Sequence, residues 1–233
     1  MNKAFYRFAK SMAGLILTFN VLALVWVIIY AFCPVPITKL MVLEKQSKDI
    51  HYQWVDLSEI SGNVQLAVMC AEDQYFLLHN GIDFQSIERA IESNRQGNRV
   101  KGASTLTQQV AKNAFLWPDR HWMRKGAELY FSLLIEMVWS KERIMEVYLN
   151  VAELGDGIFG VEAASNAYFK KSASKLTNQE AALLAAVLPS PKRYSASNPG
   201  PYVQRRVRWI MRQMKQWGGE MTYDESILEE MKP

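Results

Sequence analysis

Three clusters of residues in this 233-residue chain have the types and spacing to do chemistry. The first runs from Glu72 to Asp83. An acidic pair, Glu72 and Asp73, ends an apolar run containing Val64, Leu66, Val68 and Met69. Tyr75, Phe76, His79 and the turn-forming Asn80-Gly81 follow. Acids so close to an apolar wall are costly unless they are paired or used. On a helix the two would point about 100° apart, because a turn holds ~3.6 residues. They cannot easily work on one substrate atom from opposite sides, so a catalytic base here needs a partner from elsewhere. Taken alone, the pair reads as well as a solvated helix end, and His79 as a hydrogen-bonded structural histidine. Gly81 supplies a turn with positive φ.

The second cluster is Lys101-Gly102-Ala103-Ser104-Thr105-Leu106-Thr107-Gln108-Gln109. A glycine-containing loop runs into a helix expected to start at Ser104. Helix N-termini carry unpaired N–H groups and partial positive charge, which suit phosphate. Ser104, Thr105, Gln108 and Gln109 add neutral donors, and Lys112 lies four residues after Gln108. The plain alternative is an ordinary capped helix. No P-loop is present, because no Gly-Lys-Ser/Thr follows at the required spacing. The third cluster spans Arg120 to Glu128. Arg124 and Glu128 are i,i+4, and Lys125 and Glu128 are i,i+3, so the three share a helix face. As a surface ion pair this order is the weaker one on a helix. The other reading is a carboxylate held among cations that bind a polyanion.

The elements that must position these residues are mostly helices. Periodicity and caps predict them at 63–73, 83–95, 104–115, 121–139, 141–150, 158–168, 178–188 and 201–216. Asp83 and Ser104 are the expected N-caps. Thr177 and Glu180 fit a capping box ahead of Ala181 to Leu188. Ile144, Val147 and Tyr148 put an apolar face on the helix 141–150. Pro189, Pro191 and the tract Ser195 to Gly200 read as a loop. Period-2 alternation is confined to Tyr52–Leu57, so the fold class is all-α.

Between Lys10 and Lys39 lie 28 residues without a charge, and Ser11 to Cys33 is almost wholly apolar. At ~1.5 Å per residue this run crosses ~30 Å of hydrocarbon. A cleaved signal peptide would have a shorter core and a small-x-small site. Lys3, Arg7 and Lys10 precede the run with no acid beside them, which places the N-terminus in the cytoplasm and the rest outside. These three cations carry most of the net charge of +4. The remainder is nearly neutral, which argues against nucleic acid as a partner. Two cysteines, Cys33 and Cys70, make no disulfide framework. Ser172 and Lys175 fit a Ser-x-x-Lys pattern, but no Lys-Thr-Gly follows. Three scattered histidines, His51, His79 and His121, form no zinc motif.

Taken in order, five segments resemble the glycosyltransferase domain of bacterial peptidoglycan polymerases, glycosyltransferase family 51. They are Glu72-Asp73-x-x-Phe76-x-x-His79-x-Gly81-x-Asp83, Gly102-x-Ser104-Thr105-x-x-Gln108-Gln109, Arg124-Lys125-x-x-Glu128, Lys141-x-x-Ile144-x-Glu146-x-Tyr148-x-Asn150, and Pro189-Ser190-Pro191 with Tyr194 to Pro199. The resemblance covers about residues 50 to 215. One anchor and no transpeptidase domain point to the stand-alone form. It implies a lysozyme-like, two-lobed α fold over 51–220. A cytoplasmic tail at 1–10, a transmembrane helix at 11–33 and a connector at 34–50 precede it, and a tail at 221–233 follows. The implied substrates are lipid II and the growing glycan chain, at the outer face of a Gram-negative inner membrane.

The same resemblance implies residue roles. Glu72 matches the general base that takes the acceptor C4 hydroxyl proton, and Asp73 its support among the substrate-binding residues. Ser104, Thr105, Gln108, Gln109, Lys112, Arg120, Arg124 and Lys125 match positions near the pyrophosphate or its sugar. Glu128 matches the second family carboxylate, which orients cations, holds a divalent ion such as Mg or Mn, or assists departure. Membrane lipids, and division or elongation proteins, are the other partners considered. Apolar residues in the connector and in Phe115-Leu116-Trp117 are expected to dip into the membrane surface. Two competing readings use the same residues. One is a wall-cleaving muramidase or lytic transglycosylase, which has no need of a cationic site. The other is a non-enzymatic scaffold, which does not need Glu72 or Glu128.

Overall fold

The structure is a computed structural model and describes residues 3–96, 103–119 and 121–223. The chain forms two compact units, Met1–Pro34 and Val35–Pro233. The first holds one helix, α1 (Lys3–Phe32). Its stretch Phe5–Phe32, whose most apolar 18-residue window has a mean hydropathy of 2.5, is long and apolar enough to cross a membrane. The helix begins ahead of the apolar run because Lys, Arg and Ala favour helix strongly. Thr18 and Asn20 turn their side chains back onto the carbonyls of Gly14 and Ile16. Such bonds satisfy the two polar side chains within the helix itself, as a membrane-crossing helix requires.

The second unit contains α2 (Lys39–Lys45), α3 (Gly62–Glu72), α4 (Phe84–Arg95), α5 (Leu106–Val110), α6 (Trp122–Val138), α7 (Lys141–Val151), α8 (Val161–Phe169), α9 (Asn178–Val187) and α10 (Pro201–Gln216). Helix α2 falls in the stretch read as a connector. Thr38 caps it by accepting from the Met41 N–H at 3.2 Å. The expected helices are present, and two of them differ in kind. Thr105, not Ser104, caps α5, its hydroxyl accepting from the Gln108 N–H at 3.2 Å. After Val110 the backbone widens into a single π turn, Ala111–Phe115. Such turns interrupt α spacing and recur at functional sites.

The other difference lies at the start of the expected 158–168 helix. Ile158–Phe159 forms a strand, β3, between β1 (His51–Tyr52) and β2 (Glu153–Gly155). It runs parallel to β1 and antiparallel to β2. Strands of two or three residues are too short to show period 2 in sequence. Gly160 makes the exit into α8 at φ +80, where a Cβ would stand 2.6 Å from the Asn150 carbonyl oxygen.

Helix α3 is buried from Val64 through Cys70, as an apolar helix without a solvent face must be. It packs against α9 and α10. The buried alanines Ala181, Ala182, Ala185 and Ala186 let α9 approach closely, and its capping box is the expected one. Helix α10 turns Val203, Val207, Ile210 and Met214 inward at helical spacing. A second group forms where α5 packs on α6 and α7. There Phe115 stacks on Phe131 with centroids 5.0 Å apart. Phe115 and Leu116 are 7% and 6% exposed. The expected membrane contact at Phe115-Leu116-Trp117 therefore fails: two of its three residues belong to the core.

Candidate active site

Glu72 is the last residue of α3, and its side chain is 16% exposed. Gln109 Nε2 donates to Oε2 at 3.2 Å, and Arg206 Nη2 donates to Oε1 at 3.0 Å. The same Arg206 nitrogen donates to the Ala71 carbonyl at 3.1 Å. Helix α10 thus supplies a cation to the C-terminal end of α3, where carbonyls are unpaired and the dipole is negative. Gln109 is held from behind, because Tyr148 Oη donates to its Oε1 at 3.3 Å. Tyr148 is buried, and that burial pushes its hydroxyl well above the usual range, so it stays protonated and able to donate. Burial raises the proton affinity of Glu72 above its ordinary 4.5. The Arg206 charge and the hydrogen bonds from Gln109 and Arg206 pull it down, and the Asp73 charge adds to the rise.

Asp73 faces the scaffold. His79 Nε2 lies 3.0 and 3.1 Å from its two oxygens, and the Leu106 N–H donates to Oδ2 at 2.9 Å. Both Asp73 oxygens are therefore engaged inside the protein, and the residue also lines the cavity beside Glu72. Thr105 is likewise buried, its hydroxyl donating to the Gly81 carbonyl at 2.7 Å. Gly81 has the expected positive φ, +80, and a Cβ there would meet Glu136 Cγ at 3.0 Å. Asp83 caps α4, accepting from the Ser86 N–H at 2.8 Å. Lys141 Nζ donates to the His79 carbonyl at 2.6 Å and pairs with Glu136 at 2.9 Å. These bonds fasten the loop after Glu72 to the start of α5 and to α7.

Glu128, on α6, is 4% exposed. Arg124 pairs with its Oε1, and Lys125 Nζ lies 3.0 Å from its Oε2. Lys125 also donates to Ser104 Oγ at 3.1 Å and Gln108 Oε1 at 3.2 Å. Partial burial, then the charges of Arg124 and Lys112, make Lys125 give up its proton more readily than usual. Three cations are thus within electrostatic reach of one another. Neighbouring glutamines on α5 link the two carboxylates: Gln109 touches Glu72, and Gln108 reaches Glu128 through Lys125. Both oxygens of Glu128 are already neutralised, so the arrangement does not fit a divalent ion bound there. Among the described residues, Glu44, Glu153 and Asp156 bring carboxylate oxygens within 4.8 Å of one another. Lys48 and Lys192 pair with that group.

Two cavities adjoin these groups. One, of about 330 Å³, is lined by Glu72, Tyr75, Ser86, Arg89, Ser104 and Trp209 among others. The other, of about 450 Å³, is lined by Lys112, Asn113, Arg124, Glu153 and Lys192 among others. The first holds the carboxylate, and the second is cationic.

The family model described as Transglycosylase matches residues 39–215, most of the chain. The chain belongs to the transglycosylase family. Its helical second unit is the lysozyme-like fold of that domain. A protein of Bdellovibrio bacteriovorus named biosynthetic peptidoglycan transglycosylase is 54% identical over 203 residues, covering 84% of this chain and 81% of the relative. A protein of the same name from Shigella boydii is 52% identical over 212 residues, covering 86% and 88%. One from Haemophilus influenzae is 50% identical over 202 residues, covering 83% and 82%.

In this transglycosylase, Glu72, Gln109 and Ser104 come together around or beside the first cavity, and Gln108, Arg124, Lys125 and Glu128 form the second cluster. Lys112 sits in the π turn and lines the cationic cavity instead of continuing the Gln108 face. Arg120, Lys101 and Gly102 lie outside the described residues. Sequence reasoning missed Arg206 and gave Tyr148 only a core role. Arg206 stands one position before the buried Val207 on an otherwise basic helix face, which is the one signal that could have singled it out.

Proposed function

We propose that this transglycosylase is a peptidoglycan glycosyltransferase that polymerises lipid II, a disaccharide-peptide on undecaprenyl pyrophosphate, into β-1,4 glycan strands. The observation that carries the reading is the pairing of two unlike carboxylates. Glu72 is half-buried, with its proton affinity raised and one face on a cavity. Glu128 is neutralised inside a cluster of cations. A poised base on one side and a polyanion site on the other match acceptor activation and pyrophosphate departure.

In this reading the acceptor sugar enters the cavity beside Glu72. Its C4 hydroxyl gives its proton to Glu72 as the oxygen attacks the donor anomeric carbon from the face opposite the leaving group. The bond to the pyrophosphate oxygen breaks and configuration inverts from α to β. The electron pair leaves with undecaprenyl diphosphate, whose charge is met by Lys112, Arg124 and Lys125. Glu128 holds Arg124 and Lys125 in place. Arg206 and the Tyr148–Gln109 pair orient the Glu72 carboxylate. A hydrolase of the same fold has no use for the cationic cluster, and that separates the two readings.

The apolar helix α1 keeps the enzyme in the layer that carries its lipid-linked substrates. Its cations at Lys3, Arg7 and Lys10 put the N-terminus in the cytoplasm and the catalytic unit outside the inner membrane. With Phe115 and Leu116 buried, the membrane-facing patch passes to α6. Trp122, Leu129, Leu133 and Met137 recur there at helical spacing and are 79%, 41%, 47% and 78% exposed. The test of the reaction is incubation of the full-length protein with labelled lipid II, then digestion of the product by a muramidase specific for β-1,4 links. Polymer that is fully digested, with undecaprenyl diphosphate released, supports the reading. Inert lipid II, with cleavage of purified glycan instead, replaces it with the hydrolase.

A further inference from the structure

The cationic cavity has a wall that none of the five segments accounts for. Lys192, from the loop after α9, lines it together with Lys112 from the π turn, Arg124 from α6 and Leu40 from α2. Among its described lining residues three are cations, and the single acid is Glu153, so an anion is the ligand it favours. Lys192 is half-exposed and contacts Glu44 of α2. It stands 3.8 Å from Glu153 Oε1, beyond hydrogen-bond length. That Glu153 oxygen is buried and accepts no hydrogen bond. Burial raises the proton affinity of Glu153, with the Lys192 charge the first opposing influence. Lys192 is therefore held on the cavity rim by its hydrogen-bonded ion pair with Glu44, on a flexible side chain, and has no directional bond to Glu153.

We propose that Lys192 is a substrate-positioning residue that turns from Glu44 and Glu153 to the pyrophosphate of the donor when that group fills the cavity. This rests on reading the cavity as the leaving-group site. A lysine acts as a mobile point charge toward phosphate, in contrast to the fixed fork of an arginine. An exchange of a carboxylate for a doubly charged phosphate partner needs no backbone movement. It also ties α2, whose Leu40 lines the same cavity, to the state of the site.

The test is calorimetric titration of the full-length protein in detergent with inorganic pyrophosphate. Lys192→Ala, Lys192→Arg, Lys112→Ala and Lys48→Ala are compared with the wild type. Lys48 shares Glu44 with Lys192 but does not line the cavity, so it reports on loss of the ion-pair network alone. Lys192→Ala weakens binding about tenfold, the scale of one charged hydrogen bond. Lys192→Arg restores most of it, and Lys48→Ala leaves it unchanged. Unchanged binding by Lys192→Ala overturns the proposal, as does an equal loss in Lys48→Ala. Loss in Lys112→Ala alone keeps the leaving-group reading and removes Lys192 from it. Absence of pyrophosphate binding by the wild type overturns both.

Discussion

A carboxylate at the C-terminal end of a buried helix takes up a proton unless a cation keeps it ionised. Arg206 does this for Glu72 while also capping Ala71. Removing it has a definite sign. In Arg206→Ala the lowering influence is gone, so the proton affinity of Glu72 rises further above 4.5. A base works only when deprotonated, so the acid limb of the kcat/KM profile moves to higher pH. Each unit of that shift lowers the ionised fraction tenfold below the limb. Arg206→Lys keeps the charge and shifts the limb less. A pH–rate profile measures this, and an unmoved limb in Arg206→Ala removes Arg206 from tuning the base. In the wild type, the readier proton loss of Lys125 places an alkaline limb below 10.5. Glu72 and Glu128 were legible in sequence because each sits in a local pattern of unusual residues. Arg206 was not, because its partner lies 134 residues away and no spacing rule connects them.

At the scale of elements, α7 shows how a helix that looks like plain core carries part of the site. Asn150 at its end is fully buried. Its amide donates to the carbonyls of Val55 and Glu146 and accepts from the Val55 N–H, each at 2.9 Å. It pins the segment after β1 to the helix that presents Tyr148 to Gln109. Asn150→Ala removes three part-buried hydrogen bonds to the backbone of Val55 and Glu146. It costs at least about 2 kcal/mol of stability, read as a lowered thermal midpoint. A midpoint equal to the wild type contradicts that role. The helices were legible because apolar periodicity survives over three turns or more. The π turn and the short sheet were not, since neither leaves a repeat long enough to see. The π turn carries Lys112 onto the cationic cavity, and the sheet ends at Gly160, where the chain turns into α8.

In the proposed function the whole molecule serves substrates held in a membrane. That α1 is a helix long and apolar enough to cross a membrane was legible from length and hydropathy alone. The surface patch was not, because a run such as Phe115 to Trp117 looks exposed until its partners Phe131 and Trp139 are known. The α6 face gives the testable replacement. Changing Leu133 and Met137 to Ser alters exposed side chains, so the fold is retained. The variant polymerises vesicle-embedded lipid II several-fold more slowly and keeps its rate on a detergent-dispersed short-chain analogue. Equal loss on both substrates places the defect in the site and not at the membrane.

The account stands on Glu72 as the group that takes the acceptor proton. The direct measurement is the turnover of lipid II by full-length Glu72→Gln under saturating substrate, with its thermal midpoint recorded alongside. Glutamine keeps the shape and can still contact Gln109, yet it cannot accept the proton. The predicted result is a native-like midpoint with turnover reduced by roughly 10²–10⁴-fold, the usual worth of a general base. A properly folded Glu72→Gln that polymerises within a few-fold of the wild type contradicts the account.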